Sequence, residues 1–181
     1  MNDFLNRMLR AAKLDVHLYE EVEADKGALP QAIAVVVLAS IATGLGSIGM
    51  GAANPGDILV GIIAALGGWF IWAYITYVIG TKILPEPQTK ADYGELLRTI
   101  GFASSPGLIR ILGFIPGLGV MLFLIASVWM LVAMVIAVRQ ALDYTSTWRA
   151  VGVCVIGWIF QAVIIMAFFA IFGGAESPPL G

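Results

Sequence analysis

Histidine and cysteine are almost missing from this sequence, where His17 and Cys154 are the single examples of each. One cysteine can form no intrachain disulfide and no thiolate cluster, and its apolar surroundings read as those of an inert buried thiol. One histidine, outside every long apolar run, leaves no imidazole base or metal site at membrane depth. HExxH, GxSxG and paired aspartates are also lacking. The glycines have no strand–loop–helix context for cradling phosphate, and no basic patch is interleaved with aromatics. The expectation is a chain that is not an enzyme, holds no cofactor or metal and binds no nucleic acid.

Charge is scarce too. Only 12% of residues are Asp, Glu, Lys or Arg, against about 25% in a soluble domain. So few charges cannot cover a globule of this size, and lipid is the natural solvent for most of the surface. Residues 1–29 carry four basic and six acidic side chains with no apolar core before a cleavage site. They do not read as a secretory signal, so the apolar run from Leu29 is expected to stay in the mature protein.

What the sequence does have is apolar length: 60% hydrophobic residues and a mean hydropathy of +0.92. The pattern predicts an all-α integral membrane bundle of five transmembrane helices, the third broken, after an N-terminal amphipathic helical segment. Residues 1–28 form that segment, 29–174 the membrane domain, and 175–181 a short extracytoplasmic tail. In the first segment Leu5, Met8, Leu9, Ala12, Val16, Tyr19 and Val22 recur at helical spacing. Arg7, Arg10 and Lys13 precede Asp15, Glu20, Glu21, Glu23 and Asp25, an order that opposes the macrodipole of one continuous helix. Two short helices with a break near Asp15–His17 are expected, the basic one either near anionic headgroups or docked against its own bundle.

The first span runs from about Leu29 to Met50, and Asn54-Pro55-Gly56-Asp57 is a turn. The second, about Ile58 to Leu84, carries Trp69, Trp72, Tyr74 and Tyr77, some too deep for an interfacial belt and expected in helix packing. After the polar loop from Pro85 to Lys90, Thr89 and Asp92 resemble a capping pair. The segment from Leu96 to Leu112 then holds Arg98, Gly101, Ser104, Ser105, Pro106 and Arg110, which a lipid-facing helix would not choose. Non-helical backbone survives at membrane depth only where protein or water satisfies it. A helix broken at Ser105-Pro106 and buried by its neighbours is expected, with the serines serving backbone groups that Pro106 frees. Pro116 and Gly117 turn the chain into a fourth span ending near Val138. Arg139 and Asp143 lie in the next loop, and the fifth span runs from about Arg149 to Phe172.

With five crossings, nine of the ten basic residues fall on one side and Arg110 alone on the other. That bias puts the N-terminus inside and the C-terminus outside. The unbroken spans carry no ionisable residue in their middle portions, and Gln161 reads as interhelical glue. Small residues (Ser40 with Gly44, Gly61, Gly67-Gly68, Gly152, Gly157) suit close packing within one bundle or a homo-oligomer equally.

Gly101-Phe-Ala-Ser-Ser-Pro106 resembles the Gly-Tyr-x-x-x-Pro motif of the Yip family, with Phe102 in place of Tyr. Looser similarity covers most of the chain: Leu18-Tyr-Glu-Glu, Asp92-Tyr-x-Glu-Leu-Leu-Arg98, Ile115-Pro116, Trp129 and Arg139-Gln-Ala-Leu142. The resemblance implies five spans, a cytoplasmic N-terminus and, from the eukaryotic secretory members, association with Rab-type GTPases. Here the segment before the first span is short, and Glu20-Glu21 follow Leu18-Tyr19 where the family has Gly-Pro. That departure counts against GTPase association and resembles the compact prokaryotic members, so the cell membrane is the expected location. A non-enzymatic organiser or partner subunit is expected, working through helix packing and cytosolic contacts with the bilayer and another membrane protein or a second copy. Gly101, Pro106, Pro116 and Gly117 are expected to shape the broken segment, and Arg98, Arg139 and Asp143 to form a cytoplasmic contact patch. The alternative is a small transporter or channel whose polar pathway is lined by the broken span, including Ser104, Ser105 and Arg110. An intramembrane enzyme is a distant third.

Overall fold

The computed structural model describes residues 3–115 and 117–172, with the side chains of residues 165 and 167–172 outside that description. Pro116 and the expected tail 175–181 therefore fall outside the described residues. All regular elements among the described residues are helical.

The N-terminal run divides into α1 (Asp3–Ala12) and α2 (Val16–Ala24). The break falls slightly earlier than the charge order implies, where Leu14 turns left-handed at φ 62°. Asp15 then caps α2, its Oδ1 accepting the His17 N–H at 3.0 Å. Folding back removes the dipole conflict and lays the arginines on the acids. Arg7 donates from Nε to Glu21 and from Nη1 to Asp25, both at 2.9 Å, and Arg10 Nε reaches Asp15 at 2.8 Å. Arg7 is buried. The basic helix thus docks against acids of its own chain.

Two long helices follow, α3 (Leu29–Gly49) and α4 (Asp57–Val78), the latter running on as a π turn over Ile79–Ile83. The Tyr144 hydroxyl donates toward the carbonyls of Gly80 at 3.1 Å and Leu84 at 2.7 Å, satisfying groups that the π turn leaves loose. α5 (Tyr93–Phe102) opens with a capping box: Glu95 N–H donates to Asp92 at 2.9 Å and Asp92 N–H to Glu95 at 2.7 Å. The expected pairing of Thr89 with Asp92 is thus corrected, since the Thr89 hydroxyl instead accepts the Glu86 N–H at 3.0 Å. A 3₁₀ segment (Ser105–Phe114), α6 (Gly119–Ala141) and α7 (Thr147–Phe172) complete the fold.

The break in the third segment is real but begins earlier than Ser105. Pro106 has no N–H, and its ring excludes the carbonyl four residues back, so the α ladder stops at Phe102. Tighter bonds take over, from Ser104 N to Gly101 O at 3.1 Å and from Gly107 N to Ser104 O at 2.9 Å. The serine hydroxyls do not serve the freed groups as expected: Ser105 Oγ is buried without a partner.

Among the described residues four helices are long and apolar enough to cross a membrane: Lys26–Gly49, Asp57–Ile83, Gly119–Ala141 and Thr147–Ile164. The expected third span is not one of them, because the break leaves two ten-residue pieces. Those pieces lie beside α3, in step and in the same direction. Gly101 faces Ala32, Gly107 faces Ala39, and Phe114 faces Gly49. At Gly46 a Cβ would lie 2.0 Å from the Arg110 carbonyl, and at Gly49 one would lie 2.3 Å from Phe114 Cα. Backbone touches backbone there, so only glycine fits.

The buried core lies where α2, α3, α5 and α6 meet, around Tyr19, Val35, Leu96, Phe102 and Val138. Leu59, Val60 and Ile63 of α4, Val120, Leu124 and Val128 of α6, and Ile159 and Val163 of α7 point outward. Outward leucine and valine at this density suit hydrocarbon. Trp69 and Trp72 are buried between helices as expected, whereas Tyr74 is exposed.

Candidate functional site

One end of the bundle gathers α2, the loop after α4 and the turn between α6 and α7. Arg98 ties α5 to α2 from beneath. Its buried guanidinium donates to the carbonyls of Val22, at 2.9 Å from Nε, and Glu23. These carbonyls end α2 without helical partners, and a cation at that terminus also interacts favourably with the helix dipole. Gln140 bonds Glu20 at 2.9 Å, Gln88 bonds the Asp143 carbonyl at 3.0 Å, and Glu86 accepts from the N–H and hydroxyl of Thr145 at 3.0 and 2.8 Å. Arg149 lies 3.3 Å from Glu86.

This knit surrounds an open polar cavity of about 880 Å³ lined by Glu20, Glu23, Glu95, Arg139, Gln140 and Asp143. Asp143 sits at φ 53°, just past the end of α6, in a conformation that Asp and Asn tolerate better than most residues. Burial, then the nearby Asp143 and Glu95 carboxylates, push Glu23 up to about 7. Glu21 behaves oppositely, because its hydrogen bond from Arg10 holds it below the usual carboxylate range. The cavity is an acidic recess with one basic wall, chemically suited to a cationic group.

The sequence-predicted residues fall in three places. Arg139 and Asp143 share the polar cavity, while Arg98 lies below it and is consumed by backbone carbonyls. Gly101 packs on Ala32, and Ser105 and Pro106 line a small apolar groove against Leu5, Met8 and Trp129. Ser104 and Arg110 face a different cavity, deep between α3, α4, α6 and α7. Gly117, at φ 82°, occupies the turn closed by Leu118 N–H on the Ile115 carbonyl at 3.1 Å, at the opposite end of the bundle. Pro116 lies outside the described residues. Sequence reasoning missed Glu20, Glu23, Glu95 and Gln140 as cavity walls. The acidic run of α2 was the available signal, but it did not reveal which carboxylates would converge.

Among the described residues no group of three or more His, Cys, Asp or Glu side chains is arranged to hold a metal ion. The family model for the Yip1 domain matches residues 17–173 of the chain. No curated protein and no solved structure matches it.

Proposed function

The chain belongs to the Yip1 domain family, and from that premise we propose that this multi-pass membrane protein is a non-enzymatic organiser or partner subunit. It works through its helix faces and its cytosolic contacts. The observation that carries this reading is the polar end, where four sequence-distant segments, joined by hydrogen bonds, build one recess around Glu23, Arg139 and Asp143. A soluble tail or a neighbouring membrane protein with a basic side chain would find a preformed, oppositely charged seat there.

The proposal includes five crossings, with α5 and the 3₁₀ segment together as the third. Their passage alongside α3 from Ala32 to Gly49 supports it. It places the polar end in the cytoplasm, where the basic residues of three segments gather, and the chain in the cell membrane. Accessibility mapping should then label a cysteine introduced at Asn2 from inside and one at Gly181 from outside, and the reverse pattern would overturn the topology. Affinity isolation in mild detergent should recover a membrane-protein partner or a second copy, with recovery reduced by Asp143→Asn and Glu20→Gln. A clean, partner-free monomer would sink the organiser reading.

The deep cavity favours a second reading, a small transporter or channel, because Ser104, Arg110 and Gln161 line it together. Flux in proteoliposomes that Arg110→Gln abolishes would support that reading over the first.

A further inference from the structure

Between α3, α4, α6 and α7 lies a cavity of about 550 Å³, distinct from the polar recess. Its composition is graded. Toward the turn between α3 and α4 it is walled by Thr43, Ser47, Asn54 and Arg110; toward the middle of the bundle, by Trp72, Met134 and Trp158. Along α3 it extends from Val36 to Ser47, about 16 Å at 1.5 Å per residue. That is close to half of a roughly 30 Å hydrocarbon core. On α4 the walls start at Asp57, the first residue of that helix, and end at Trp72, about 22 Å along it at 1.5 Å per residue. The cavity therefore runs from a polar mouth at one leaflet's surface to the middle of the hydrocarbon core or slightly past it.

Arg110 gives the mouth its sign. One terminal nitrogen reaches Ser127 Oγ at 2.8 Å, the other lies 3.5 Å from Thr43 Oγ1, and the guanidinium rests 5.4 Å from the centre of the Phe123 ring. Its Nε is buried with no partner. None of the ion pairs among the described residues includes Arg110. Asp57 stands at the same mouth, but it is exposed and its Oδ2 accepts the Asn54 N–H at 2.7 Å. A half-buried cation with donors to spare, neutral hydroxyls around it and an apolar shaft behind it has the complement of an anionic amphiphile.

The geometry points to a phospholipid site: the phosphate of one anionic lipid seats against Arg110, Thr43 and Ser47, and one acyl chain fills the shaft lined by Trp72, Met134 and Trp158. This rests on the bundle spanning the membrane, but not on the organiser role. Native mass spectrometry of the full chain in mild detergent tests it, with dioleoylphosphatidylglycerol, dioleoylphosphatidylcholine and inorganic phosphate as separate probes. One bound phosphatidylglycerol is expected, retained about tenfold better than phosphatidylcholine, with Arg110→Gln erasing the preference. Gly68 lines the shaft and a Cβ there meets nothing within 4 Å, so Gly68→Leu should fold normally and lose the lipid. Equal retention of the two lipids by the wild type overturns the role of Arg110. Undiminished retention in Gly68→Leu overturns the shaft. Adduction of inorganic phosphate that displaces the lipid overturns the lipid in favour of a free anion. A partner-free monomer that still retains the lipid would sink the organiser and leave this site standing.

Discussion

The two ends of this bundle are closed by different physics. At the polar end α1, α2, α5 and two connecting turns are joined by side chains: Arg98 on carbonyls, Arg7 and Arg10 on carboxylates, Gln140 on Glu20. At the opposite end α3 meets the 3₁₀ segment with no side chain between them at Gly46 and Gly49. The joints that use carboxylates depend on protonation, and all of these side-chain joints tolerate partial replacement, because each is worth only a kcal/mol or two net. A backbone-to-backbone joint is blind to pH and has nothing to yield when an atom is added.

The largest effect should come from breaking the blind end. Gly46→Leu puts a side chain where a Cβ already lies 2.0 Å from the Arg110 carbonyl. A loss of about 3 kcal/mol is expected, seen as a collapsed melting transition or no folded protein in detergent. Next, Arg98→Met leaves the last carbonyls of α2 unsatisfied and should cost about 2 kcal/mol. Arg98→Lys should recover part of it, and a melt that does not distinguish the two variants would refute the carbonyl staple.

The pH prediction separates the ends further. Glu23 faces Glu20 on its own helix, Glu95 and Arg98 on α5, and Asp143 beyond α6, with Arg139 across the cavity. Its folded value of about 7 exceeds its ordinary 4.5, so the native state binds the proton more tightly. The contribution of Glu23 to stability should therefore be full below about pH 4.5, fall as pH rises to about 7, and level off above. Asp15, Glu21 and Asp25 are shifted down, so their contribution is lost only at more acidic pH. Glu23→Gln should flatten the slope between about pH 5 and 7 in a melting series, whereas Gly46→Leu should leave the slope unaltered. The smallest effect belongs to Gly67→Ala. A Cβ there meets nothing within 4 Å, so helix propensity alone should hold or raise stability by up to about 1 kcal/mol.

Much of the architecture was readable because a helix in lipid must satisfy its own backbone, which forces long apolar runs such as Val120–Ile136. The broken third segment was equally legible through Pro106, whose covalent structure forbids the α ladder wherever it sits. Pairings were not. Arg98 looks like a surface cation in sequence, yet it lies across from carbonyls of Val22 and Glu23, far away along the chain. Periodicity says which face a residue occupies, not what stands opposite. For the same reason Arg139 and Asp143 could be placed near one surface, while Glu20, Glu23 and Glu95 beside them could not.

The 3₁₀ segment also acts as a ruler. From Ala32 to Gly49, α3 climbs about 26 Å at 1.5 Å per residue. From Gly101 to Phe114 an ordinary α-helix would climb only about 20 Å. Drawing Ser105–Phe114 out to about 2.0 Å per residue raises that to about 25 Å. A shorter stretch of chain thereby keeps pace with its longer neighbour, and the glycine contacts at both ends stay in register. Rewinding those residues into α form would leave the chain one turn short of Gly49.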